Sequence, residues 1–409
     1  MEFSDLLSGI AVVIDNEVNA PPASGDRITE IVERFEQDLN LPVYKSAKMP
    51  RRETWHSLLQ SASFVVLDWQ LWPDVPASQL EEKGIVDNRQ FVETARDYFV
   101  PVFIFTNLAP KTVEDKLGDL CKKGAPVFVG SKTKILESDK LNISVIEDWI
   151  NENASVYVLK TWEYAFHAAK RELFSSMYKK SHHWPKTFWK AYSEDGVDAS
   201  SSLMHLVNSN LQGRMRTSVF DNAVLHTAPA GDSQQDIREI IAEVSFRGQE
   251  NLPDDEIRCG DLFEYQEPGK SNKKYLLNIR PDCDCIPRNG QKIEKVELYC
   301  IVGKEVSDTK VGDLLHQGHL MEKVWQSIAF AIYNGKSLEF DFRKLEICTF
   351  DNLKDKRIGR WMHPYVTRTQ QRFALYLHRH GLPRIPNEAI GMDPNVLTGT
   401  GIPSQPDSK

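Results

Sequence analysis

Four polar side chains with complementary chemistry follow short apolar runs in the first third of the sequence. Asp15 follows IAVVI, Asp68 follows FVVL, Thr106 follows VFIF and Lys132 follows PVFVGS. Carboxylates bind hard divalent cations through oxygen, and a carboxylate can also act as the nucleophile toward a phosphoryl group. A hydroxyl and an ammonium can donate hydrogen bonds to phosphoryl oxygens. If the four side chains meet, they have the chemistry to accept a phosphoryl group beside a cation such as Mg²⁺.

The elements around these residues alternate between strand and helix signals over residues 1–150. Such alternation predicts an α/β domain whose parallel sheet, of the flavodoxin-like (βα)5 kind, is covered by helices on both faces. The carboxyl ends of parallel strands share one edge, so the four side chains are expected to converge there. The polar, Glu-rich residues 73–85 are interpreted as a surface loop. Strands are predicted at residues 9–15, 41–47, 63–68, 101–106 and 125–130, and helices at 24–39, 51–62, 87–99 and 111–124.

Residues 8–150 resemble the receiver domain of two-component response regulators. VVIDNEV is similar to that family's acidic cluster, VVLDWQLWP to its phosphoacceptor strand, FIFTN to its switch threonine and FVGSKT to its lysine. The resemblance implies that Asp68 takes a phosphoryl group from a histidine kinase, while Thr106 and Lys132 contact the transferred group. It also implies that Asp15, Glu17 and Asp68 hold Mg²⁺.

Two positions depart from the family's usual pattern. Asn16 stands where a second acid is usual, so either Glu17 compensates or metal binding is weakened. Thr133 stands where a proline usually follows the lysine. Two alternatives therefore remain open: a degenerate receiver that never accepts phosphate, or an unrelated flavodoxin-like domain in which Asp15 and Asp68 are helix caps or loop acids.

The rest of the chain has weaker signals. Residues 151–250 are predicted to be mainly helical, residues 251–390 to form an α+β domain with a small sheet or barrel, and residues 391–409 to be a disordered tail. The stretch RPDCDCIPR, residues 280–288, is interpreted as a strand with Asp282 and Asp284 on one face and two cysteines on the other. It lacks a complete zinc-ligand pattern, so we expect buried thiols and locally bonded acids.

A basic segment, residues 354–381, has two interpretations. Its lysines and arginines could form a docking surface for phosphate, nucleic acid or an acidic partner. Alternatively, Phe373, Leu375 and Leu377 anchor a helix to a small barrel while the arginines are solvated. Residues 358–386 are expected to be that helix. No helix-turn-helix pattern lies near it, which favours the second interpretation over nucleic-acid binding.

The composition of the chain argues against a secreted protein, a membrane-spanning protein and a general nucleic-acid-binding protein. The six cysteines are scattered without a CxxC pair, which fits a reducing compartment, and no secretory signal or membrane span is visible. We therefore expect a cytoplasmic protein without a membrane partner. The formal net charge of −8 argues against nucleic acid binding by the whole surface.

Over its whole length the chain resembles the phosphate-buffer proteins of Detocs-type bacterial anti-phage systems, through GDLF, PDCD and the segment beginning IGRWMHPYVTRTQQRF. This resemblance implies a histidine kinase and a receiver-bearing effector as partners, and no catalysis beyond the phosphorylation and dephosphorylation of Asp68. Two alternatives remain open: a response regulator whose second half binds DNA, and an effector enzyme controlled by the receiver, with Asp282, Asp284 and the nearby cysteines in its site.

Overall fold

The chain forms two compact units in the computed structural model. The first comprises Met1–Tyr192 and Ala199–Pro229, and the second Ser193–Asp198 and Ala230–Lys409. The structure describes residues 3–20, 27–71, 77–137, 140–141, 143–215, 220–226, 231, 233–266, 269, 273–287, 291–316, 319–320 and 327–378. The expected tail at 391–409 lies outside these ranges.

The first unit is built on a five-stranded sheet in the order β2-β1-β3-β4-β5, and every neighbouring pair is parallel. This confirms the α/β class and the parallel sheet expected at the N-terminus, and the order is the one common to flavodoxin-like sheets. The strands are β1 Ile10–Ile14, β2 Val43–Ser46, β3 Ala62–Asp68, β4 Val102–Thr106 and β5 Val127–Ser131.

Helices connect these strands and cover both faces of the sheet. Two short strands after β5, β6 Leu136–Glu137 and β7 Lys140–Leu141, pair with each other. The helices up to this point of the chain and just beyond it are α1 Phe3–Leu6, α2 Ile28–Gln37, α3 Arg52–Ser61, α4 Ala77–Asp97, α5 Pro110–Leu117, α6 Lys132–Ile135 and α7 Ile143–Glu152.

The apolar strands are buried on both faces because side chains alternate along them. In β1, Ala11 and Val13 join a core with residues of α2 and α7. Val12 and Ile14 join a second core with residues of α3, α4 and α5. In the central strands β1, β3 and β4, polar side chains therefore lie only near the strand ends.

One expectation for this unit was wrong. The residues predicted as a loop at 73–85 are helical from Ala77 onward, since α4 runs through to Asp97, and residues 72–76 lie outside the described part. Glu, Gln and Lys are good helix formers, so a polar stretch does not argue against a helix.

Further helices follow α7, within the range predicted as helical. α8 begins after Asn153, whose side chain accepts from the backbone of Val156 and donates to the carbonyl of Ala125. Farther along α8, the buried Lys160 donates to the carbonyl oxygen of Ser63 at the start of β3. These bonds attach α8 to the amino-terminal edge of the sheet. The helices are α8 Ala154–Lys180, α9 Trp184–Glu194, α10 Ala199–Arg214 and α11 Asn222–Leu225.

The second unit is built on a seven-stranded antiparallel sheet in the order β14-β15-β11-β10-β9-β16-β8. Phe246 in one outer strand meets Tyr333 in the other, with ring centroids 5.2 Å apart, so the sheet curls around its core. The strands are β8 Phe246–Gly248, β9 Asp261–Gln266, β10 Lys273–Asn278, β11 Glu297–Val306, β12 Leu315–His316, β13 His319–Leu320, β14 Ile328–Tyr333, β15 Lys336–Thr349 and β16 Arg357–Trp361.

Two predictions for the second unit were wrong. The stretch predicted as a strand at 280–288 contains a short helix at Asp282–Cys285, whose single turn begins after Pro281 and includes two acids, which are favoured at a helix N-terminus; residue 288 lies outside the described part. The helix expected over 358–386 is strand β16 followed by a helix ending at His378; residues 379–386 lie outside the described part. The helices are α12 Gln234–Ser245, α13 Asp282–Cys285, α14 Asp308–Leu314 and α15 Tyr365–His378.

None of the helices that the structure describes, the 27-residue α8 included, is apolar enough over the necessary length to cross a membrane.

Candidate functional site

Lys132 joins two carboxylates at the carboxyl-terminal edge of the parallel sheet. Its Nζ lies 2.7 Å from Asp15 Oδ2 and 3.7 Å from Asp68 Oδ1. All three side chains are buried, with 1% of Lys132, 1% of Asp15 and 5% of Asp68 exposed. Carboxylates that are buried side by side repel each other, and the ammonium of Lys132 compensates one of the two charges.

The register of the sheet explains why these side chains meet. Ile14 is paired with Leu67, so Asp15 and Asp68 follow at the same level of neighbouring strands. Asp68 is paired in turn with Phe105, directly before Thr106. Thr106 is paired with Ser131, directly before Lys132. The predicted set Asp15, Asp68, Thr106 and Lys132 therefore ends four adjacent strands at one edge.

Thr106 is fully buried, and its hydroxyl oxygen accepts from the backbone N–H of Leu108 at 3.1 Å. This bond orders the loop after β4. A hydroxyl also has one hydrogen to donate, so Thr106 can still act as a donor at the sheet edge. Beyond Lys132, the hydroxyls of Ser131 and Thr133 are 2.8 Å apart.

Asn16 contributes a contact that the sequence analysis missed. A terminal atom of its side-chain amide lies 3.1 Å from Asp68 Oδ2 and 3.2 Å from the carbonyl oxygen of Gln70. With the nitrogen in that position, the amide donates to both oxygens. In the sequence, Asn16 is notable only as a missing acid, although Asn side chains commonly bond to backbone groups near them.

The predicted cation ligands are only partly brought together. Asp15 and Asp68 share Lys132, whereas Glu17 reaches this cluster through its backbone N–H, which donates to Asp15 Oδ1 at 2.8 Å. Within the described ranges, no group of three or more His, Cys, Asp or Glu side chains is placed to hold a metal ion. A Mg²⁺ ion commonly needs only one or two carboxylates and takes its other ligands from water and substrate. Asp68, the Gln70 carbonyl and an Asn16 amide oxygen fit that requirement, with Asp15 beside them.

The segment after Asp68 is fixed from α4. Asn88 is fully buried, and its Nδ2 donates to the carbonyl oxygen of Trp69 at 2.9 Å. The Oδ1 of Asn88 has no hydrogen-bond partner among the described residues. Asn88 thus anchors the residue next to the candidate acceptor, a role that nothing in the local sequence indicates.

Gly130 leaves room for an aromatic side chain beside the site. A Cβ at Gly130 would lie 2.6 Å from Cε1 of Phe128, so the ring occupies the space that a side chain would need. Phe128 also packs against Trp149 of α7, with ring centroids 5.9 Å apart. Phe128 therefore packs against α7 and fills the space beside Gly130.

Two arginines of the basic segment, residues 354–381, form buried ion pairs within the second unit. Arg360 and Arg357 are buried and both contact Asp261, at 2.6 Å and 3.5 Å. Arg360 also pairs with Glu256 at 2.7 Å. Burial raises the pKa of Asp261, although the two arginines oppose this effect. The expectation of solvated arginines was therefore wrong for these two residues.

The apolar residues of α15 also differ from expectation. Phe373 packs against Phe342, with ring centroids 5.8 Å apart, as an anchor of the helix should. Leu375 and Leu377 are 71% and 65% exposed. Only one of the three predicted anchors therefore attaches α15 to the curled sheet.

The two cysteines of α13, Cys283 and Cys285, differ in their burial. Cys285 is fully buried, and burial raises the pKa of its thiol to about 11. Cys283 is exposed, which the prediction of buried thiols did not anticipate. Asp282 bonds outside its own segment rather than locally as predicted, because its Oδ1 accepts from the backbone N–H of Cys259, 23 positions earlier, at 2.7 Å.

The chain matches no protein-family model, no curated protein and no solved structure.

Proposed function

We propose that this protein is the phosphoacceptor of a two-component phosphorelay, and that Asp68 of its receiver domain accepts the phosphoryl group. The observation that supports this most strongly is the buried ammonium of Lys132 in contact with two carboxylates, Asp15 and Asp68, at the carboxyl-terminal edge of the sheet. A purely structural ion pair needs only one carboxylate per ammonium. The second carboxylate, Asp68, is the one that a phosphoryl group would convert to an acyl phosphate.

In the proposed reaction, a carboxylate oxygen of Asp68 attacks the phosphorus of a phosphohistidine on a partner kinase. The P–N bond breaks and its electron pair returns to the imidazole, which takes up a proton. Lys132 is placed to pair with an oxygen of the transferred group, and Thr106 can donate a second hydrogen bond. The product is an acyl phosphate on Asp68, which water later hydrolyses.

Mg²⁺ would be held by Asp68, the carbonyl of Gln70 and the amide oxygen of Asn16, with Asp15 beside them. When bound, it neutralises part of the charge on the phosphoryl oxygens. The protein's own residues do the rest: they orient the acceptor oxygen and place a cation and a hydroxyl at the edge of the sheet.

For the second unit we propose an interaction role without catalysis, so that the whole protein acts as a phosphate buffer in anti-phage defence. Support comes from the way its charged residues are used: Asp261, Arg357 and Arg360 satisfy one another inside the unit. The partners would be a histidine kinase and a receiver-bearing effector, both in the cytoplasm.

The direct experiment is incubation with Mg²⁺ and phosphoramidate, a small donor with a P–N bond, followed by intact-mass measurement. We expect one phosphoryl group on the wild-type protein and on Asp87→Asn, which removes an acid of α4 paired with Arg52. We expect none on Asp68→Asn, provided that its circular dichroism is native. Equal labelling of all three proteins would refute Asp68 as the acceptor.

A further inference from the structure

The Asn16 side chain forms a bridge inside the candidate site. One terminal position of its amide lies 3.1 Å from Asp68 Oδ2 and 3.2 Å from the Gln70 carbonyl oxygen. An amide nitrogen has two hydrogens, so it can donate to both acceptors at once. In that orientation the amide links the acceptor carboxylate to the loop that follows it.

The same spacing fits a second arrangement. Half a turn about the Cβ–Cγ bond exchanges the amide nitrogen for its oxygen, which places Asn16 Oδ1 beside both Asp68 Oδ2 and Gln70 O. Oxygens at neighbouring vertices of a Mg²⁺ octahedron, each 2.0–2.1 Å from the ion, are about 2.9 Å apart. The observed 3.1 Å and 3.2 Å are close to that value. An aspartate at position 16 could form only the oxygen arrangement.

We propose that Asn16 is a two-position ligand which substitutes for the cation and exchanges with it. Without a cation, the nitrogen donates to Asp68 and Gln70. When Mg²⁺ enters, the amide turns over and its oxygen becomes a ligand. The cation under discussion serves the acceptor role proposed above, but the exchange itself requires no phosphoryl transfer.

The charges of the site set the energetic consequence. Asp15 and Asp68 supply two negative charges and Lys132 returns one positive charge, so the wild-type site attracts a divalent cation less than one with an acid at position 16. Cation binding must also break two hydrogen bonds, one of them to a carboxylate. Because Asn16→Asp removes both costs, we expect it to bind Mg²⁺ about ten- to a hundredfold more tightly.

The test combines calorimetry with NMR of protein labelled with ¹⁵N-asparagine. Calorimetry measures Mg²⁺ affinity, and the Asn16 side-chain signal is identified by its loss in Asn16→Asp. We expect slow exchange of the Asn16 amide hydrogens without cation, and loss of this protection along the same titration curve that calorimetry gives. Asn107→Asp is the matched control, because it adds the same charge at an exposed position after β4, which is separated from β1 by β3.

Three results would overturn the proposal. Mg²⁺ could bind by calorimetry without changing the Asn16 amide signal, or Asn107→Asp could tighten binding as much as Asn16→Asp. Alternatively, the wild-type protein could bind no Mg²⁺ at concentrations that saturate Asn16→Asp, which would make the amide a permanent block. Failure of Asp68 to accept phosphate, with the amide exchange observed, would refute the proposed function and leave this inference standing.

Discussion

Lys132 and Asp15 form a direct ion pair, with 2.7 Å between Nζ and Oδ2, although 117 positions separate them in the chain. Both side chains are 1% exposed. The pair connects β1 to the end of β5, on opposite sides of the strand that carries Asp68. The side chain of Asp68, the candidate acceptor, therefore has the carboxylate of Asp15 and the ammonium of Lys132 as its charged neighbours.

Removing this ammonium should be costly. Lys132→Met leaves two buried carboxylates without their cation, so we expect the free energy of unfolding to fall by about 3–5 kcal/mol. Urea unfolding measures the loss. The double variant Lys132→Met, Asp15→Asn should recover part of it, because it removes one of the uncompensated charges. A loss below 1 kcal/mol in the single variant would show that the ion pair does not hold the edge together.

Two glycines provide a matched test of the space beside the site. Gly130→Ala forces the Phe128 ring away from its position on Trp149, and overpacking of this kind costs about 1–3 kcal/mol. Gly213→Ala in α10 meets no atom within 4 Å and should stabilise the protein by about 0.5 kcal/mol. Thermal or urea unfolding of both variants measures the difference. Equal effects would contradict the role of Gly130.

The amide of Asn88 should matter more than an ordinary helix residue. Asn88→Ala leaves the buried Trp69 carbonyl without its donor, so we expect a loss of about 1–3 kcal/mol in unfolding free energy. Asn210→Ala in α10, where the side chain donates to a carbonyl of its own helix, is a suitable comparison. If both variants lost the same stability, the anchoring of the segment after Asp68 would not be special.

The lowered pKa of Lys160 should make the free energy of unfolding depend on pH. Burial lowers the pKa of Lys160 below its ordinary value of 10.5, against the opposing effect of Glu163. Between the lowered pKa and 10.5, the unfolded chain binds the proton more strongly than the folded protein, so stability gains from Lys160 as pH rises through that window. Urea unfolding between pH 7 and 10 should show a steeper rise for the wild-type protein than for Lys160→Met. Parallel curves would contradict the shift.

A phosphate buffer and a response regulator differ in how far the conformational change caused by phosphorylation extends along the chain. As a buffer, the protein should change hydrogen exchange around Thr106 and Lys132 when Asp68 is phosphorylated, and scarcely at all in residues 258–378. Hydrogen exchange read by mass spectrometry compares the two regions directly. Substantial protection or deprotection in the second unit, or a phosphate-dependent gain of DNA binding, would favour the response-regulator alternative instead.

The first unit could be predicted closely because its signals are local. Asp15, Asp68, Thr106 and Lys132 each follow an apolar strand, and the rule that parallel strands end at one edge brings them together. The bridge from Asn16 to the Gln70 carbonyl could not be predicted, since it depends on the side-chain conformation at a loop. The anchoring of Trp69 by Asn88 depends on how α4 packs, which is a tertiary property.

The second unit was harder to predict for a physical reason. Arg360 and Asp261 are 99 positions apart, so nothing near Arg360 shows that its charge is compensated and buried. Arginines in a basic stretch therefore suggested a solvated surface. Strand β16 was predicted as helix because its pairing partners, β8 and β9, lie about a hundred residues earlier in the chain.

The most direct test of the central claim is to locate the phosphoryl group. The protein is treated with Mg²⁺ and phosphoramidate, the acyl phosphate is reduced with borohydride, and the peptide containing Asp68 is sequenced by mass spectrometry. Reduction converts a phosphorylated aspartate to homoserine, so the account predicts homoserine at position 68 and at no other acid. Unmodified Asp68 in a protein that carries a phosphoryl group elsewhere, or in one that carries none, would contradict it.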